Sequence, residues 1–429
     1  MLLAYLMKRL IRFGRLTIID ADGRRHAYGQ PSQPGDFAHP IKDVAIRLHD
    51  KKLHTKLALT PRLSLGEAYM DGTLTVEDGA SIYDFLSLVM VNMRHVGRRG
   101  ALAPIIWGAD RILRPLQQYN PISRSRENVA HHYDLSGQLY DLFLDRDRQY
   151  SCAYFQSLDD SLDMAQARKK QHIASKLLLQ PGQKVLDIGS GWGGLGLYLA
   201  REAGVDVTGL TLSTEQHKVS NSRAEADDLQ DRARFVLRDY RHETAKYNRI
   251  VSVGMFEHVG VNHYQAFFDK VADLLADDGV CLLHAIGRSD GPGTTNPWIR
   301  KYIFPGGYCP AVSEVLPVIE RAGLVTTDIE ILRLHYAETL KHWRMRFMPH
   351  WDLVKSELYD ERFCRMWEFY LACCEAAFRY QDLMVFQIQI AKRIDAVPMT
   401  RDYMAEWKRQ HPLPALQGED AGMNIAAAD

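Results

Sequence analysis

Through the second half of the chain, short apolar runs alternate with longer stretches whose apolar positions recur at helical spacing. The runs are QKVLDIG, VDVTGLTL, ARFVLRD, RIVSVG, GVCLLHAIG and LVTTDIEIL, each followed by a helix-length amphipathic segment. This alternation predicts an α/β fold with a doubly wound parallel sheet from about Asn128 onward, which places a ligand crevice at the carboxyl ends of the strands. From Leu16 to about Val91 the pattern is mixed. Strand-like RLTIID, VAIRLH and LTVEDG, with turns at Asp22-Gly23 and Asp71-Gly72, predict a small α+β domain. After Pro398 the chain becomes polar and rich in Ala and Gly, the pattern of a disordered tail. The expected divisions are 1–93, a linker 94–127, a second domain 128–396 and a tail 397–429.

Length and composition narrow the class. A chain of 429 residues exceeds what one core usually organises, which favours two domains. With 46% hydrophobic and 25% charged residues it is globular, and no uninterrupted apolar run of about 18 residues is present to span a bilayer. A formal net charge of zero removes the electrostatic case for a nucleic-acid binder. In MLLAYLMKRLIRFGRL the apolar stretch precedes Lys8, Arg9, Arg12 and Arg15, the reverse of a secretory signal, so a cytoplasmic location is expected. Six scattered cysteines without a CxxC pair predict neither a disulfide framework nor a metal site.

One local charge imbalance matters. Between Arg94 and Arg126 there are seven arginines against the single carboxylate of Asp110, interleaved with Ile105, Ile106, Trp107, Ile112 and Leu113. Two readings stand: a solvated interdomain linker, or a segment docking on an anionic membrane surface.

The candidate chemistry begins at VLDIGSGWGG, from Val185. Gly189, Gly191 and Gly193 follow a strand end, where glycine lets the backbone approach a ligand closely. Asp187, just before the first glycine, suits a cationic amino-acid group better than a dinucleotide phosphate, which a carboxylate repels. The next strand lacks the acidic residue that commonly grips a ribose diol, leaving Thr211 and Gln216 to supply polar contacts. Asp239-Tyr240 ends the third strand. It reads either as a carboxylate and ring for an adenine or as a surface loop.

Several long motifs together resemble the cyclopropane-fatty-acid synthase family, which includes the mycolic acid cyclopropane synthases. They are HHYDLSGQLYDLFLD from His131, QYSCAYF from Gln149, VLDIGSGWGG, VTGLTLSTEQ from Val207, VGMFEHVG from Val253, WIRKYIFPGGY from Trp298 and LHYAETLKHW from Leu334. The resemblance covers roughly His131 to Lys392, and the amino-terminal segment looks like the small extra, lipid-binding domain of the phospholipid-acting members. Ser190 departs from the cysteine many members carry.

The resemblance implies a Rossmann-like S-adenosylmethionine-dependent methyltransferase domain, with contacts to that cofactor from Tyr150, Ser151, Gly189, Thr211, Leu212, Gln216, Asp239, Tyr240 and Gly254. It further implies a bicarbonate pocket formed by Cys152, Glu257, His284, Ile286 and Tyr336, with backbone N–H groups near Cys152 and Ile286 as donors. It puts Cys374 in a position where a catalytic cysteine has been suspected, although no step needs a thiolate and an Ala-rich helix suits a small buried hydrophobe. Tyr133, Tyr150, Tyr154, Phe155, Trp298, Tyr302, Phe304 and Tyr308 are expected to supply aromatic faces around a cation, or else to pack the core. His258 reads as a bystander.

The implied activity is transfer of a methylene to the cis double bond of membrane phospholipid acyl chains, by a peripheral enzyme on the inner face of the membrane. Three rivals remain at this level: methyl- or methylene-branched products, a lipid-binding protein with a vestigial methyltransferase fold, and a small-molecule N- or O-methyltransferase. A homodimer through the amino-terminal domain is compatible with the pattern.

Overall fold

A computed structural model describes residues 2–31, 41–96 and 136–413. The basic segment after Arg94, with Arg98, Arg99, Arg111 and Arg114, falls almost wholly outside the described residues, as do Tyr133 and the end of the tail from 414.

The carboxy-terminal sheet has seven strands in the order β10-β11-β9-β8-β5-β6-β7. They are β5 (Lys184–Ile188), β6 (Asp206–Thr211), β7 (Ala233–Leu237), β8 (Tyr247–Val253), β9 (Leu275–Arg288), β10 (Val325–Ile331) and β11 (Leu383–Ala391). Strands β5 to β9 pair in parallel. Val185, Leu186 and Ile188 are all buried, as strands covered on both faces require. The helices between them start where short polar side chains meet free N–H groups: Ser161 accepts from Met164 N, Ser213 from Gln216 N and Asp360 from Phe363 N. From β5 the chain proceeds outward to β6 and β7, then returns to the other side of β5 for β8 and β9. This reversal opens a crevice between the carboxyl ends of β5 and β8.

Two sequence expectations are corrected. The sheet is mixed, because β11 runs antiparallel to both β9 and β10. In its run LMVFQIQIA, Gln387 and Gln389 interrupt the apolar pattern, which hides the strand in the sequence, yet both are 1% exposed. The tail is not disordered throughout: Asp402–Gln410 forms a helix against the helix Leu162–Leu177, and Trp407 and Leu413 pack on the core cluster around Val185. The hydrogen bond from Gln171 Nε2 to His411 O, at 2.7 Å, closes that contact. Tyr403 Oη, accepting from Gln389 Nε2 at 2.9 Å, and the Arg401–Asp328 ion pair add polar contacts to the apolar ones.

The amino-terminal part is α+β as expected. Its sheet is ordered β2-β1-β3-β4, from β1 (Arg15–Ile19), β2 (Arg25–Gly29), β3 (Val44–Leu48) and β4 (Leu74–Glu77). It does not stand apart. The helices Pro61–Met70 and Ile82–Val96 pack on the long helix Glu361–Tyr380, and one apolar cluster runs unbroken from Leu3 through Phe85 to Trp367 and Phe378. Polar bonds fix the register of that contact. Tyr69 Oη donates to Glu368 Oε2 at 2.5 Å, Lys301 Nζ to Glu67 Oε1 at 2.7 Å, and Gln381 Nε2 to Met90 O at 2.7 Å.

Burial raises the Glu368 carboxyl and the Tyr69 hydroxyl bond offsets this. Removing that donor leaves a buried acceptor short of a partner, at a cost of about 1–3 kcal/mol. Tyr69→Phe is therefore expected to lower the unfolding free energy by that amount, seen as a urea midpoint lowered by that free energy divided by an unchanged m; an unchanged midpoint would show that the bond contributes nothing net.

Candidate active site

At the end of β5 the backbone turns through Gly189, Gly191 and Gly193, with φ of +86°, +55° and +85°. A Cβ at Gly189 would lie 2.7 Å from Met255 Cβ, whereas one at Gly191 would meet nothing within 4 Å. The turn is thus packed on one side and open on the other. Its N–H groups are held to the next strand, Gly189 N and Ser190 N both donating to Leu210 O.

Asp187 lies beneath the turn. It is 2% exposed, and its Oδ2 has no hydrogen-bond partner among the described residues. Burial pushes its carboxyl up to about 7. A buried carboxyl with an unpartnered oxygen beside an open crevice suits a cationic group.

All eleven residues expected to contact a cofactor line this one crevice: Tyr150, Ser151, Asp187, Gly189, Gly191, Thr211, Leu212, Gln216, Asp239, Tyr240 and Gly254. Thr211 Oγ1 donates to Gln216 Oε1 at 2.7 Å. Asp239 is gripped by the Arg241 guanidinium at 2.8 and 2.6 Å and stays ionised, and the Tyr240 ring is braced edge-on by Phe267, 5.4 Å away.

A second, larger cavity adjoins the first. Tyr150, Ser151, Gly254 and His258 belong to the walls of both. His258, read from sequence as a bystander, is thus at the junction, where burial lowers its pKa to about 4 and keeps it neutral. The larger cavity runs into the amino-terminal domain, past Leu86, Val89 and Met93 to Leu3, Leu6 and Leu10 of the helix Leu2–Leu10. Its walls are mostly apolar, with polar side chains at the junction and also at Arg62, Arg288, Asp290, Asn296, Gln381 and Asp382.

Cys152, Glu257, His284, Ile286 and Tyr336 all line this cavity. Glu257 Oε1 accepts from Ile286 N at 2.6 Å, and Oε2 is buried with no partner among the described residues. Burial pushes this carboxyl up to about 7. The Ile286 N–H, expected to face an anion, instead positions Glu257. The Ala153 N–H, beside Cys152, is likewise engaged by Thr339 Oγ1 at 3.0 Å. Burial, helped by Lys169 and Lys176, lowers the His284 pKa to about 3, so the imidazole is neutral. Burial raises the Cys152 and Cys374 thiols well above their ordinary range. Neither is a thiolate, and Cys374 serves as cavity wall.

The expected aromatic set divides. Tyr150, Phe304 and Tyr308 face the larger cavity, joined by Phe369 and Phe378, which the sequence reading missed. The others pack: Tyr154 is stacked on His172 and His335, Phe155 on His342, Trp298 sits over Gly66, and Tyr302 donates to Glu67. Also missed was Lys169, 1% exposed, whose Nζ donates to Gln149 Oε1 at 2.7 Å and Ser151 Oγ at 2.8 Å. Burial lowers its pKa to about 8. Its signal was available: Lys169 falls in the stripe of Leu162, Ala165 and Ile173, where an apolar residue belongs.

This crevice at a strand-order reversal, with its orphaned acid under a glycine turn, fits a sulfonium nucleoside carrying an amino acid. Solved structures with the same architecture include the cyclopropane synthase MmaA2 from Mycobacterium tuberculosis, 33% identical with a TM-score of 0.59 over 64% of this chain and 99% of that one. The mycolic acid cyclopropane synthase CmaA1, solved with S-adenosylhomocysteine and CTAB, matches equally at 33% identity and 0.59, over 63% of this chain and 99% of that one. The protein is an S-adenosylmethionine-dependent transferase.

The family model for mycolic acid cyclopropane synthetase matches residues 121–388. Over 89% of this chain and 96% of its own length, the cyclopropane-fatty-acyl-phospholipid synthase of Escherichia coli K12 is 36% identical. A probable fatty acid methyltransferase of Pseudomonas putida is 34% identical over 82% of this chain and 88% of its own, and the tuberculostearic acid methyltransferase of M. tuberculosis 32% over 89% of each. The chain belongs to the cyclopropane synthase family.

The raised acids carry a stability consequence. Between the unfolded value of about 4 and the folded value near 7, Asp187 and Glu257 hold more protons folded than unfolded, so each destabilises the ligand-free fold progressively as pH rises through that window. Asp187→Asn and Glu257→Gln are expected to gain stability relative to the parent as pH is raised from about 4 to 7 and to hold that gain above it. Thermal melts across this range showing a constant offset would contradict the burial-driven shift.

Proposed function

We propose that the protein transfers a methylene group from S-adenosylmethionine to the cis double bond of an unsaturated phospholipid acyl chain, closing a cyclopropane ring and releasing S-adenosylhomocysteine. The observation that carries this reading is the apolar cavity that joins the cofactor crevice and ends there in a buried polar cluster with Glu257 Oε2 unpaired. The names of the E. coli and mycobacterial relatives agree with it.

The cofactor, when bound, supplies an electrophilic methyl on a sulfonium. An isolated alkene is a weak nucleophile, and its attack leaves a carbocation on the acyl chain. The protein's part is to hold the double bond at the junction, exclude water, and face the cation with Tyr150, Phe304 and Tyr308. The added methyl must then lose a proton to a base before the ring closes.

Bicarbonate fits the polar cluster, where it would serve as that base. Glu257 Oε2 lacks a partner, and Glu257, His284 and Tyr336 would hold the ion. With its carboxyl near 7, Glu257 is partly protonated at neutral pH and can donate to an anion that a carboxylate would repel.

A second reading keeps the first step and ends in a methyl-branched chain. It is favoured by the names of the P. putida and tuberculostearic acid relatives; loss of a different proton from the cation gives a methylene-branched or methyl-branched, still unsaturated chain, and a saturated methyl branch requires a separate hydride donor to reduce it. A vestigial methyltransferase fold is disfavoured by the intact crevice, and a small-molecule N- or O-methyltransferase has no use for so long an apolar cavity. We further propose that the enzyme works on the inner face of a membrane as a peripheral protein. No helix among the described residues is long and apolar enough to cross one.

Purified protein with S-adenosylmethionine and vesicles of unsaturated phosphatidylglycerol is expected to yield acyl chains heavier by CH₂ that resist mild hydrogenation and open in acid. Mass spectrometry finding a CH₂ gain that fails to open in acid would select the branched product, and no gain would refute both. Glu257→Gln is expected to lower turnover by on the order of 100-fold or more while cofactor affinity by calorimetry stays within about twofold. Lost cofactor affinity would move Glu257 to the other site.

A further inference from the structure

We infer that Gln387 is a positioning residue that fixes His284 as the Nε2-protonated tautomer, making the histidine a hydrogen-bond donor toward the anion held beside Glu257. The inference rests on the anion site proposed above and adds a residue and a proton position to it.

Gln387 and His284 are directly opposed in the antiparallel pair β11–β9, so their side chains share one face of the sheet. Both are buried, at 1% and 2% exposure, and Gln387 Nε2 lies 3.1 Å from His284 Nδ1. An amide NH₂ can only donate. Nδ1 must therefore accept, which leaves the single proton of a neutral imidazole on Nε2.

The opposite amide orientation would have Oε1 accept from an Nδ1–H. Two observations weigh against it. As placed, Gln387 leaves only its Oε1 without a partner, and the reversed amide would instead bury an unpaired NH₂ with two protons to satisfy. Reversal would also leave His284, which lines the same cavity as Glu257, with a bare Nε2 lone pair and no N–H to offer there. An Nε2 lone pair would repel an anion, whereas an Nε2–H on His284 gives it a donor in addition to the one a protonated Glu257 offers.

The imidazole stays neutral because burial and the positive charges of Lys169 and Lys176 oppose protonation, with His172 adding to them and only Glu330 acting against. The titratable groups sharing its cavity wall include Glu257, His258, Cys152, Tyr150, Tyr336, Arg288, Asp290, Tyr308, Cys309 and Cys374.

The test uses the full-length protein labelled with ¹⁵N-histidine, the His284 signals being assigned by their loss in His284→Asn. Long-range ¹H–¹⁵N correlation spectra of the parent are expected to show the Nε2–H pattern for His284, with or without S-adenosylhomocysteine. Gln387→Glu, whose carboxylate accepts from Nδ1–H, is expected to reverse the tautomer and move the acid limb of the kcat/KM pH profile upward. Turnover should fall on the order of 100-fold while S-adenosylhomocysteine affinity stays within about twofold. Gln387→Leu should give mixed tautomers.

An Nδ1–H or imidazolium pattern in the parent overturns the inference, as does an unchanged tautomer in both variants. The parent spectrum decides even where a variant fails to fold. A parent with the expected tautomer but no transfer to lipid would refute the proposed reaction and leave the hydrogen-bond assignment standing.

Discussion

Two carboxyl groups, Asp187 and Glu257, are each buried with one oxygen that has no hydrogen-bond partner among the described residues. An isolated carboxylate in so dry a place is costly, and both respond by holding their protons to near neutral pH. Asp187 lies under the glycine turn of the cofactor crevice, and Glu257 lines the larger, mostly apolar cavity. The strip Gln149–Cys152 forms the wall between them, and Lys169 anchors it from behind.

The fold delivers these groups by a strand-order reversal. Because β5 and β8 are neighbours while their following loops diverge, Gly189 and Gly254 face one crevice, and β9 brings His284 alongside. The antiparallel β11 then closes the far side and supplies Gln387. Antiparallel pairing matters there because it opposes Gln387 to His284 directly.

The amino-terminal domain is part of the same body. One apolar cluster joins it to the helix Glu361–Tyr380, and bonds such as Tyr69 to Glu368 set how the two parts meet. The cavity that reaches Leu3 and Leu10 exists only because of that union. An acyl chain is long, apolar and flexible, so a channel built between two packed parts suits it better than the mouth of a single sheet.

By itself, the sequence determined the alternation of strands and helices, the crevice turn and the polar positions around it. These are legible because strand runs, glycine turns and caps are local, and because the long motifs around Cys152, Glu257, His284 and Tyr336 resemble a known family closely. Only the tertiary structure decided the rest. Lys169 and Gln387 are polar residues in apolar patterns, and which partner justifies such a residue depends on contacts distant in the chain. The N–H of Ile286 turned from the anion to Glu257 for the same reason, and Tyr154, Phe155, Trp298 and Tyr302 went to packing. The tail helix docked because Trp407 and Leu413 found apolar neighbours some two hundred residues earlier. Local chemistry names the candidates, and burial, which is a property of the whole fold, assigns their partners and protons.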